Sequence, residues 1–449
     1  MKITAPFHFA TALFLASSTF AANWPQYRGP GASGLDDSVA LPTTWNAEKG
    51  ETIRWQTPIP GLAHAAPIVW GDRVFVATAV AAGAKPDLKV GLYGDIGAAP
   101  NTEKNQWRLL ALDKATGKIV WNVVGQESVP KVARHTKATH CNSTPATDGQ
   151  RIVAIFGSEG LFCFNARDGA LLWKKDLGPM DAGYFQVKTA QWGFASSPII
   201  HDGKVIVQCD VQQDSFLAVF DLATGNEVWR TARTDVPTWG TPAIVTAGGR
   251  TQIAVNGWHH AGGYEFATGK ELWKYDGGGD IPVPTPIVSG DMIYFTSAHG
   301  RMRPMRAIRA DAMGDLTPED SAGTLKPGVA WNNDRLGSYM QTPILVGERL
   351  YGCTDVGLVT CFDAKTGVVR YSERLSKTSE GYTASPVSDG RNLFFTSEQG
   401  NVSVVPATDK FSVSAPNPLG ETCLSTPALS DGTMFFRTRE KLVAVGAKK

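Results

Sequence analysis

The sequence has few charged residues and, beyond its N-terminal end, no long apolar segment. Charged side chains make up 19% of the 449 residues, and the formal net charge is +1. So small a net charge gives no broad electrostatic attraction to nucleic acid or to an anionic membrane surface. No stretch after the N-terminal segment is apolar enough to span a bilayer. We therefore expect neither a nucleic-acid-binding protein nor a membrane-spanning one.

Cysteine is scarce, and its spacing lacks the common metal and haem patterns. The six cysteines form no Cys-x-x-Cys and no Cys-x-x-Cys-His sequence, which disfavours a zinc ribbon and covalent c-type haem. Cys353 and Cys361 flank the turn at residues 355–357 and could face each other across a hairpin. The other interpretation is that they are small apolar core residues.

The first 22 residues have the composition of a secretory signal peptide. Lys2 gives a positive start, an apolar stretch runs from about residue 5 to residue 16, and small residues allow cleavage after Ala21 or Ala22. The segment contains no cysteine that could carry a lipid anchor. We expect a periplasmic or extracellular mature protein, monomeric, with an N-terminal extension over residues 23–52 and one domain over residues 53–449.

Glycine and proline are plentiful, and the prolines recur at corresponding positions of a sequence repeat. The chain has 47 Gly, 27 Pro and 13 Trp, which suits many short strands joined by tight turns. A step of two small or polar residues and a proline, followed by an apolar run, recurs at Pro67, Pro145, Pro198, Pro242, Pro286, Pro343, Pro386 and Pro427. The spacings are 78, 53, 44, 44, 57, 43 and 41 residues. The short spacings match one four-stranded propeller blade, and the long ones indicate insertions.

Each unit contains a second signal, a glycine turn followed by an aromatic residue. In the third unit Asp221-Leu-Ala-Thr-Gly225 is followed by Trp229, and the turn recurs in four other units. The glycine supplies positive φ for the turn, and the indole can pack between blades with its N–H on a neighbouring backbone carbonyl. We predict this structural docking role for Trp121, Trp173, Trp229 and Trp273.

The two ends of the chain predict how the ring closes. After Pro427 there is sequence for only three strands, while Ile53-Arg-Trp-Gln-Thr57 looks like a fourth strand and precedes the first repeat. We therefore predict an all-β fold, an eight-bladed β-propeller of four-stranded antiparallel blades. An N-terminal strand would complete the C-terminal blade, which pairs both loose edges.

The turn-plus-Trp repeat resembles that of the quinoprotein alcohol dehydrogenase-like superfamily, also called the PQQ-binding-like repeat. The opening Trp24-Pro-Gln-Tyr-Arg-Gly-Pro-Gly31 is also similar to the start of many secreted members, and the resemblance covers about residues 24 to 446. The family includes PQQ-dependent dehydrogenases and non-catalytic propellers such as the outer-membrane assembly lipoprotein BamB. The resemblance thus implies a fold more strongly than a chemistry, and it places this chain nearer the non-catalytic branch.

Candidate ligand-binding residues follow from the blade geometry. The loops joining strand 4 to strand 1 and strand 2 to strand 3 lie on one rim of a propeller, here called the upper face, around the mouth of the central channel. Histidines and aromatic residues concentrate in these loops, which favours a ligand site. The candidates are His64, His140, Asn142, Trp192, Trp239, His259, His260, His299, Arg301, Tyr339 and Tyr382.

Two functions follow. The first is an extracytoplasmic binding or scaffold protein for a protein, polymer or small ligand, using the mouth and the inserted loops over residues 80–106, 124–140 and 310–328. The alternative is a PQQ-dependent alcohol or sugar dehydrogenase. For that alternative the resemblance implies PQQ with Ca²⁺ above a tryptophan floor, and Trp192 and Trp239 could form it. The chain has no adjacent cysteine pair and no matching Glu/Asn/Asp set, so we assign no catalytic residue and no metal ligand.

Overall fold

The structure is a computed structural model that describes residues 22–83, 86–91, 94–187, 189–319 and 323–447. The predicted signal peptide therefore lies, except for Ala22, outside the described residues. Eight four-stranded antiparallel blades surround a central channel, which confirms the predicted all-β propeller. No helix among the described residues is long and apolar enough to cross a membrane.

The blades are numbered in chain order, with each blade's strands given from the channel outward. The strands of blades 1 to 4 are Ile68–Trp70, Arg73–Ala81, Asn105–Asp113 and Ile119–Ser128; Ala146–Thr147, Arg151–Ile155, Leu161–Asn165 and Leu171–Lys175; Ile199–His201, Lys204–Cys209, Phe216–Asp221 and Glu227–Ala232; Ala243–Ala247, Arg250–Val255, His260–Glu265 and Glu271–Asp276. Those of blades 5 to 8 are Ile287–Ser289, Met292–Thr296, Met305–Arg309 and Val329–Asn333; Ile344–Val346, Arg349–Cys353, Leu358–Asp363 and Val369–Arg374; Val387–Ser388, Asn392–Thr396, Asn401–Pro406 and Asn417–Pro418; Ala428–Ser430, Thr433–Arg437, Lys441–Val445 and Ile53–Pro58. Two short 3₁₀ turns span Pro30–Ala32 and Gly157–Glu159.

The ring closes as the sequence predicts. Strand Ile53–Pro58 pairs antiparallel with Lys441–Val445 and forms the outer strand of blade 8. The first and last blades are therefore held together by a strand from the opposite end of the chain. The N-terminal strand and the third strand of blade 8 thus pair with each other, so neither stays a free edge at this junction.

The repeat tryptophans lie against the turn of the following blade. The Nε1 of Trp229 donates to the carbonyl of Phe266 at 2.9 Å, and its ring lies so close to Gly269 that a Cβ there would come within 2.5 Å of it. Trp173 in blade 2 and Trp121 in blade 1 make the same contacts. The repeat glycine therefore provides room for the indole as well as positive φ.

Three tryptophans extend or modify this pattern. Trp55 and Trp331, which the sequence analysis did not single out, also donate to a carbonyl of the next blade's turn. Trp273 differs, because its Nε1 donates to the side chain of Gln252 in its own blade, and the Gln252 amide donates to the carbonyl of Ala310 in blade 5. Blade 4 thus reaches blade 5 through an intervening side chain.

A chain of hydroxyl groups links the innermost strands around the channel. In each step the backbone N–H of the residue before a repeat proline donates to the hydroxyl of the equivalent residue in the next blade, at 2.9–3.2 Å. The chain runs through Ala66, Thr144, Ser197, Thr241, Thr285, Thr342, Ser385 and Thr426. We call the seven hydroxyl-bearing members the hydroxyl ring. Ala66 has no hydroxyl, so the link from Thr426 back to blade 1 is missing.

The N-terminal extension closes the lower end of the channel. Trp24 pairs with Val69 of blade 1 through two backbone hydrogen bonds. Arg28 is fully buried, and its guanidinium donates to the carbonyls of Pro343 and Pro386 in blades 6 and 7. The hydroxyl of Tyr27 lies 3.0 Å from that of Ser385. The Trp-Pro-Gln-Tyr-Arg sequence is thus a plug that contacts blades on both sides of the ring.

The insertions contain short strands, and the strands Arg73–Ala81, Asn105–Asp113 and Ile119–Ser128 of blade 1 extend into residues predicted as insertions. The insertions in blade 1 and before blade 2 pair through Ala98–Ala99 and Arg134–His135. Within the insertion of blade 5, Gly314–Asp315 adds a short parallel strand to blade 4. All six cysteines are buried and unbonded. Cys361 lies opposite Tyr351 in the hairpin, so it does not face Cys353, and the core interpretation applies.

Candidate functional site

The channel contains a cavity of about 300 Å³ that opens on the upper face. Residues preceding the repeat prolines supply most of its wall, because the innermost strands line the channel. Tyr27 of the plug forms part of its floor. The channel is therefore a one-ended cavity rather than a pore, and its volume lies at the lower end of the range for small-molecule sites. We call it the upper cavity.

Stacked aromatic rings form one wall of the upper cavity. The rings of Tyr184 and Trp192 are nearly parallel, with an interplanar angle of 7° and centroids 5.6 Å apart. Trp239 packs beside Trp192 at 5.9 Å and donates its Nε1 to the carbonyl of Gly193 at 2.9 Å. That hydrogen bond fixes the Trp239 ring. The wall suits a flat apolar group, since offset aromatic stacking is favourable.

Two histidines at the cavity are held in their neutral form. The Nε2 of His64 lies 2.8 Å from the carbonyl of Lys137 and must donate, because a carbonyl only accepts. Burial lowers the pKa of His64 to about 4, so its Nδ1 is a bare acceptor at neutral pH. His135 has both ring nitrogens engaged, with Nε2 at the carbonyl of Asp95 and Nδ1 accepting the backbone N–H of Lys137, and burial lowers its pKa.

Asp280 orients two further residues of the cavity wall. Its carboxylate accepts the Nδ1–H of His299 at 2.5 Å and the hydroxyl of Tyr184 at 3.3 Å. The Nε2 of His299 has no hydrogen-bond partner among the described residues. The His299 ring also lies 5.3 Å from that of Tyr339. The upper part of the cavity thus presents ring nitrogens and aromatic faces in fixed positions.

A buried ion pair lies beside the cavity. The ammonium of Lys137 contacts the carboxylate of Glu398 at 2.5 Å, and their side chains are 7% and 0% exposed. Glu398 also accepts hydrogen bonds from the hydroxyl of Thr383 and the backbone N–H of Gly91. Desolvation lowers the pKa of Lys137, while the Glu398 charge opposes that change. The pair ties the insertion before blade 2 to blade 7 and leaves little net charge there.

The structure places six of the predicted site residues in the upper cavity, and the others lie elsewhere. The six that line it are His64, Asn142, Trp192, Trp239, His299 and Tyr339. The five that do not are His140, His259, His260, Arg301 and Tyr382.

Some predicted residues lie away from the cavity because the propeller is wide and a loop on its upper face can stay far from the channel. The loop carrying His259 and His260 is held outward by Asp235, whose carboxylate accepts the backbone N–H of both and is itself paired with the buried Arg233. His260 then contacts Glu271 on the outer strand of blade 4, at 2.8 Å. Arg301 is exposed, and Tyr382 is a core residue at 2% exposure. The predicted residues therefore lie on one face of the propeller, but not all of their loops extend to the central channel.

Several cavity residues escaped the sequence analysis. His135 and Lys137 lie in the insertion before blade 2, and Tyr184 lies in the long connection between blades 2 and 3, where the repeat gives no positional information. Tyr27 lies before the first blade. One signal was available, since hydroxyl residues precede seven of the eight repeat prolines. Four of those seven line the cavity: Thr144, Ser197, Thr241 and Thr426.

The donor set does not fit a PQQ–calcium centre. Ca²⁺ takes six to eight oxygen ligands, with carboxylates prominent among them. Among the described residues no group of three or more His, Cys, Asp or Glu side chains is arranged to hold a metal. Asp280 is engaged with His299, and Glu398 with Lys137. We derive no reaction step through such a cofactor.

Comparison with known proteins supports the same fold. A curated relative, the tetrathionate hydrolase of Acidithiobacillus ferrooxidans, is 27% identical over an alignment of 206 residues that covers 42% of this chain. The match spans only 37% of that enzyme's length.

Solved structures give wider coverage at low identity. BamB from Moraxella catarrhalis aligns with a TM-score of 0.58 and 14% identity over 88% of this chain and 99% of its own. A europium-containing methanol dehydrogenase aligns with a TM-score of 0.60 and 12% identity over 94% of this chain and 89% of its own. At these identities the likeness concerns the fold alone.

A match to a protein-family model shows to which family this chain belongs. The model described as outer membrane protein assembly factor BamB matches residues 38–207, 108–373 and 213–448, which together span most of the chain. The overlapping matches are expected of a repeat whose units resemble one another. The chain therefore belongs to the BamB family of PQQ-like β-propellers.

Proposed function

We propose that this protein is an extracytoplasmic binding propeller that takes up a small organic ligand in the upper cavity. The observation that carries the proposal is the shape of that cavity, which is closed below by the plug and walled by Tyr184, Trp192 and Trp239. A deep apolar cavity with a few fixed polar groups is the usual form of a small-ligand site. The rigid ring would bind without large rearrangement.

Family membership supports a binding role outside the cytoplasm, since the family's description refers to outer-membrane assembly. A protein partner would meet the upper face, where the blade 1 insertion, the insertion before blade 2 and the cavity mouth lie together. The N-terminal sequence supports export with removal of residues 1–21 or 1–22. The exported protein would then consist of the N-terminal extension and one propeller domain over residues 53–449.

The proposal is tested with an uncharged aromatic probe, N-phenyl-1-naphthylamine, titrated into the full chain. We expect saturable binding of one probe per chain, with quenching of tryptophan fluorescence, because the probe would lie against Trp192 and Trp239. Ala195→Trp fills the cavity from a half-buried position on its wall and should abolish binding. The matched control is Ala115→Trp, an exposed position in a lower-face turn, which should bind like the parent.

Equal binding by both variants would place the probe outside the cavity and overturn the proposal. The dehydrogenase alternative has its own test, which is incubation with PQQ and Ca²⁺ followed by assays for quinone absorbance and dye-linked alcohol oxidation. Activity in that assay would favour the alternative over a binding protein.

A further inference from the structure

We propose that the lower end of the upper cavity is an anion site, formed by four members of the hydroxyl ring above Arg28, so that the ligand is an organic anion. This inference rests on the proposed function and adds the ligand's chemical class and orientation. The charged group would lie on the hydroxyl ring, and the flat apolar body would lie against the aromatic wall.

The hydroxyl donors are the first observation. Thr144, Ser197, Thr241 and Thr426 line the cavity, and each is at most 5% exposed. Each oxygen already accepts a backbone N–H from the preceding blade. The hydroxyl hydrogens have no acceptor among the described residues, and a hydroxyl that accepts can still donate. Four hydroxyl donors thus lie at the wall of the upper cavity without an acceptor in the described part of the chain. Because an unsatisfied buried donor is unfavourable, a ligand that supplies an acceptor would be favoured there.

The charge beneath the ring is the second observation. The guanidinium of Arg28 is bonded to the carbonyls of Pro343 and Pro386, which directly follow the ring residues Thr342 and Ser385. No ion pair neutralises Arg28 among the described residues, and its other acceptors are the carbonyls of Ala32 and Ser33. A buried cation with only carbonyl partners leaves a positive potential at this end of the channel.

The acidic groups near the cavity do not cancel this charge at the floor. Asp280 contacts His299 and Tyr184, Glu398 is paired with Lys137, and Asp95 accepts the backbone N–H of Gly97. Among the described residues none of these three carboxylates contacts Arg28 or the four cavity-lining hydroxyls. An anionic group on the hydroxyl ring would receive several charge-assisted hydrogen bonds, which are the stronger kind. The proposed ligand is therefore a flat organic molecule that carries a carboxylate, sulfonate or phosphate group.

The test compares two probes that differ by one group. 1-Anilinonaphthalene-8-sulfonate has the skeleton of N-phenyl-1-naphthylamine with an added sulfonate. In a purely apolar cavity the sulfonate would weaken binding, because it loses hydration. With the anion site we expect the sulfonate to bind about tenfold or more tightly than the uncharged parent.

Variants then locate the effect. Thr241→Val removes one donor at the cavity and the link from Ser197, while Thr285→Val removes the link from Thr241 at a position that does not line the cavity. We expect Thr241→Val to weaken sulfonate binding several-fold without changing binding of the uncharged probe. Thr285→Val should leave both affinities unchanged. Arg301→Gln, at an exposed position off the cavity, controls for ion pairing at the surface.

The outcomes separate the two proposals. Equal affinities for both probes, or equal effects of Thr241→Val and Thr285→Val, would overturn the anion site while leaving the cavity as a ligand site. Failure of both probes to respond to Ala195→Trp would overturn the proposed function itself. A loss of sulfonate binding in Arg301→Gln would assign the preference to the surface and also overturn the anion site.

Discussion

The backbone N–H of Ser197 donates to the hydroxyl of Thr241 in the neighbouring blade, at 3.1 Å. The same link recurs seven times around the channel and stops only where Ala66 replaces a hydroxyl residue. In seven of the eight blades, the hydroxyl residue before the repeat proline therefore joins two blades through their innermost strands.

Completing the ring should stabilise the protein. Ala66→Ser puts a hydroxyl where the backbone N–H of Thr426 would find it, by analogy with the other seven links. We expect a gain of about 1 kcal/mol, the usual net value of a hydrogen bond, as a higher midpoint of chemical denaturation. Ala65→Ser, one residue away from the ring position, should bring no gain. A lower midpoint for Ala66→Ser than for the parent would mean that the eighth link cannot form.

The contact between tryptophan and glycine makes a second prediction. Gly269→Ala places a Cβ within 2.5 Å of the Trp229 ring at φ +74°, whereas Gly290→Ala at φ +58° meets no atom within 4 Å. Both carry the left-handed backbone cost of about 1–2 kcal/mol, and overpacking adds about 1–3 kcal/mol to the first alone. Denaturation midpoints should therefore fall further for Gly269→Ala. Equal losses would show that the indole moves away without cost.

Acid should destabilise the fold through its neutral histidines. Burial lowers the pKa of His64 and of His140 to about 4, from an ordinary value of 6.5. Between these values the unfolded chain binds protons that the folded chain does not, so stability is complete above pH 6.5 and falls as the pH drops towards 4. We expect His64→Gln, which can still donate to the carbonyl of Lys137, to remove about 2 kcal/mol of that acid-induced loss. An unchanged dependence of the denaturation midpoint on pH would contradict this.

The mature chain should begin at Ala22. The backbone N–H of Ala22 donates to Asp431 at 2.9 Å, and its carbonyl accepts the hydroxyl of Ser430. Cleavage after Ala21 would turn that donor into an α-ammonium group beside a carboxylate, whereas cleavage after Ala22 would remove it. Mass spectrometry of the exported protein checks the start, and a chain beginning at Asn23 would contradict the prediction.

The sequence predicts the propeller far better than its site. Blade number, strand order and ring closure follow from the repeat, because each unit must bury the same faces. The docking of Trp55 and Trp331 was missed, since Trp55 precedes the first unit and an insertion separates Trp331 from its glycine turn. The site was predicted only in part. The repeat determines on which face of the propeller a loop lies, but it does not determine how far the loop extends towards the channel. His299 extends to the channel, whereas Asp235 holds His259 and His260 outward.

The central claim is that the upper cavity holds an organic anion between the aromatic wall and the hydroxyl ring. A crystal structure of the full chain with 1-anilinonaphthalene-8-sulfonate tests it most directly. We predict one probe per chain, with its rings against Tyr184 and Trp192 and its sulfonate within hydrogen-bonding distance of the hydroxyls of Ser197 and Thr241. A probe bound only on the outside of the ring, or one in the cavity with its sulfonate towards the mouth, would contradict the account.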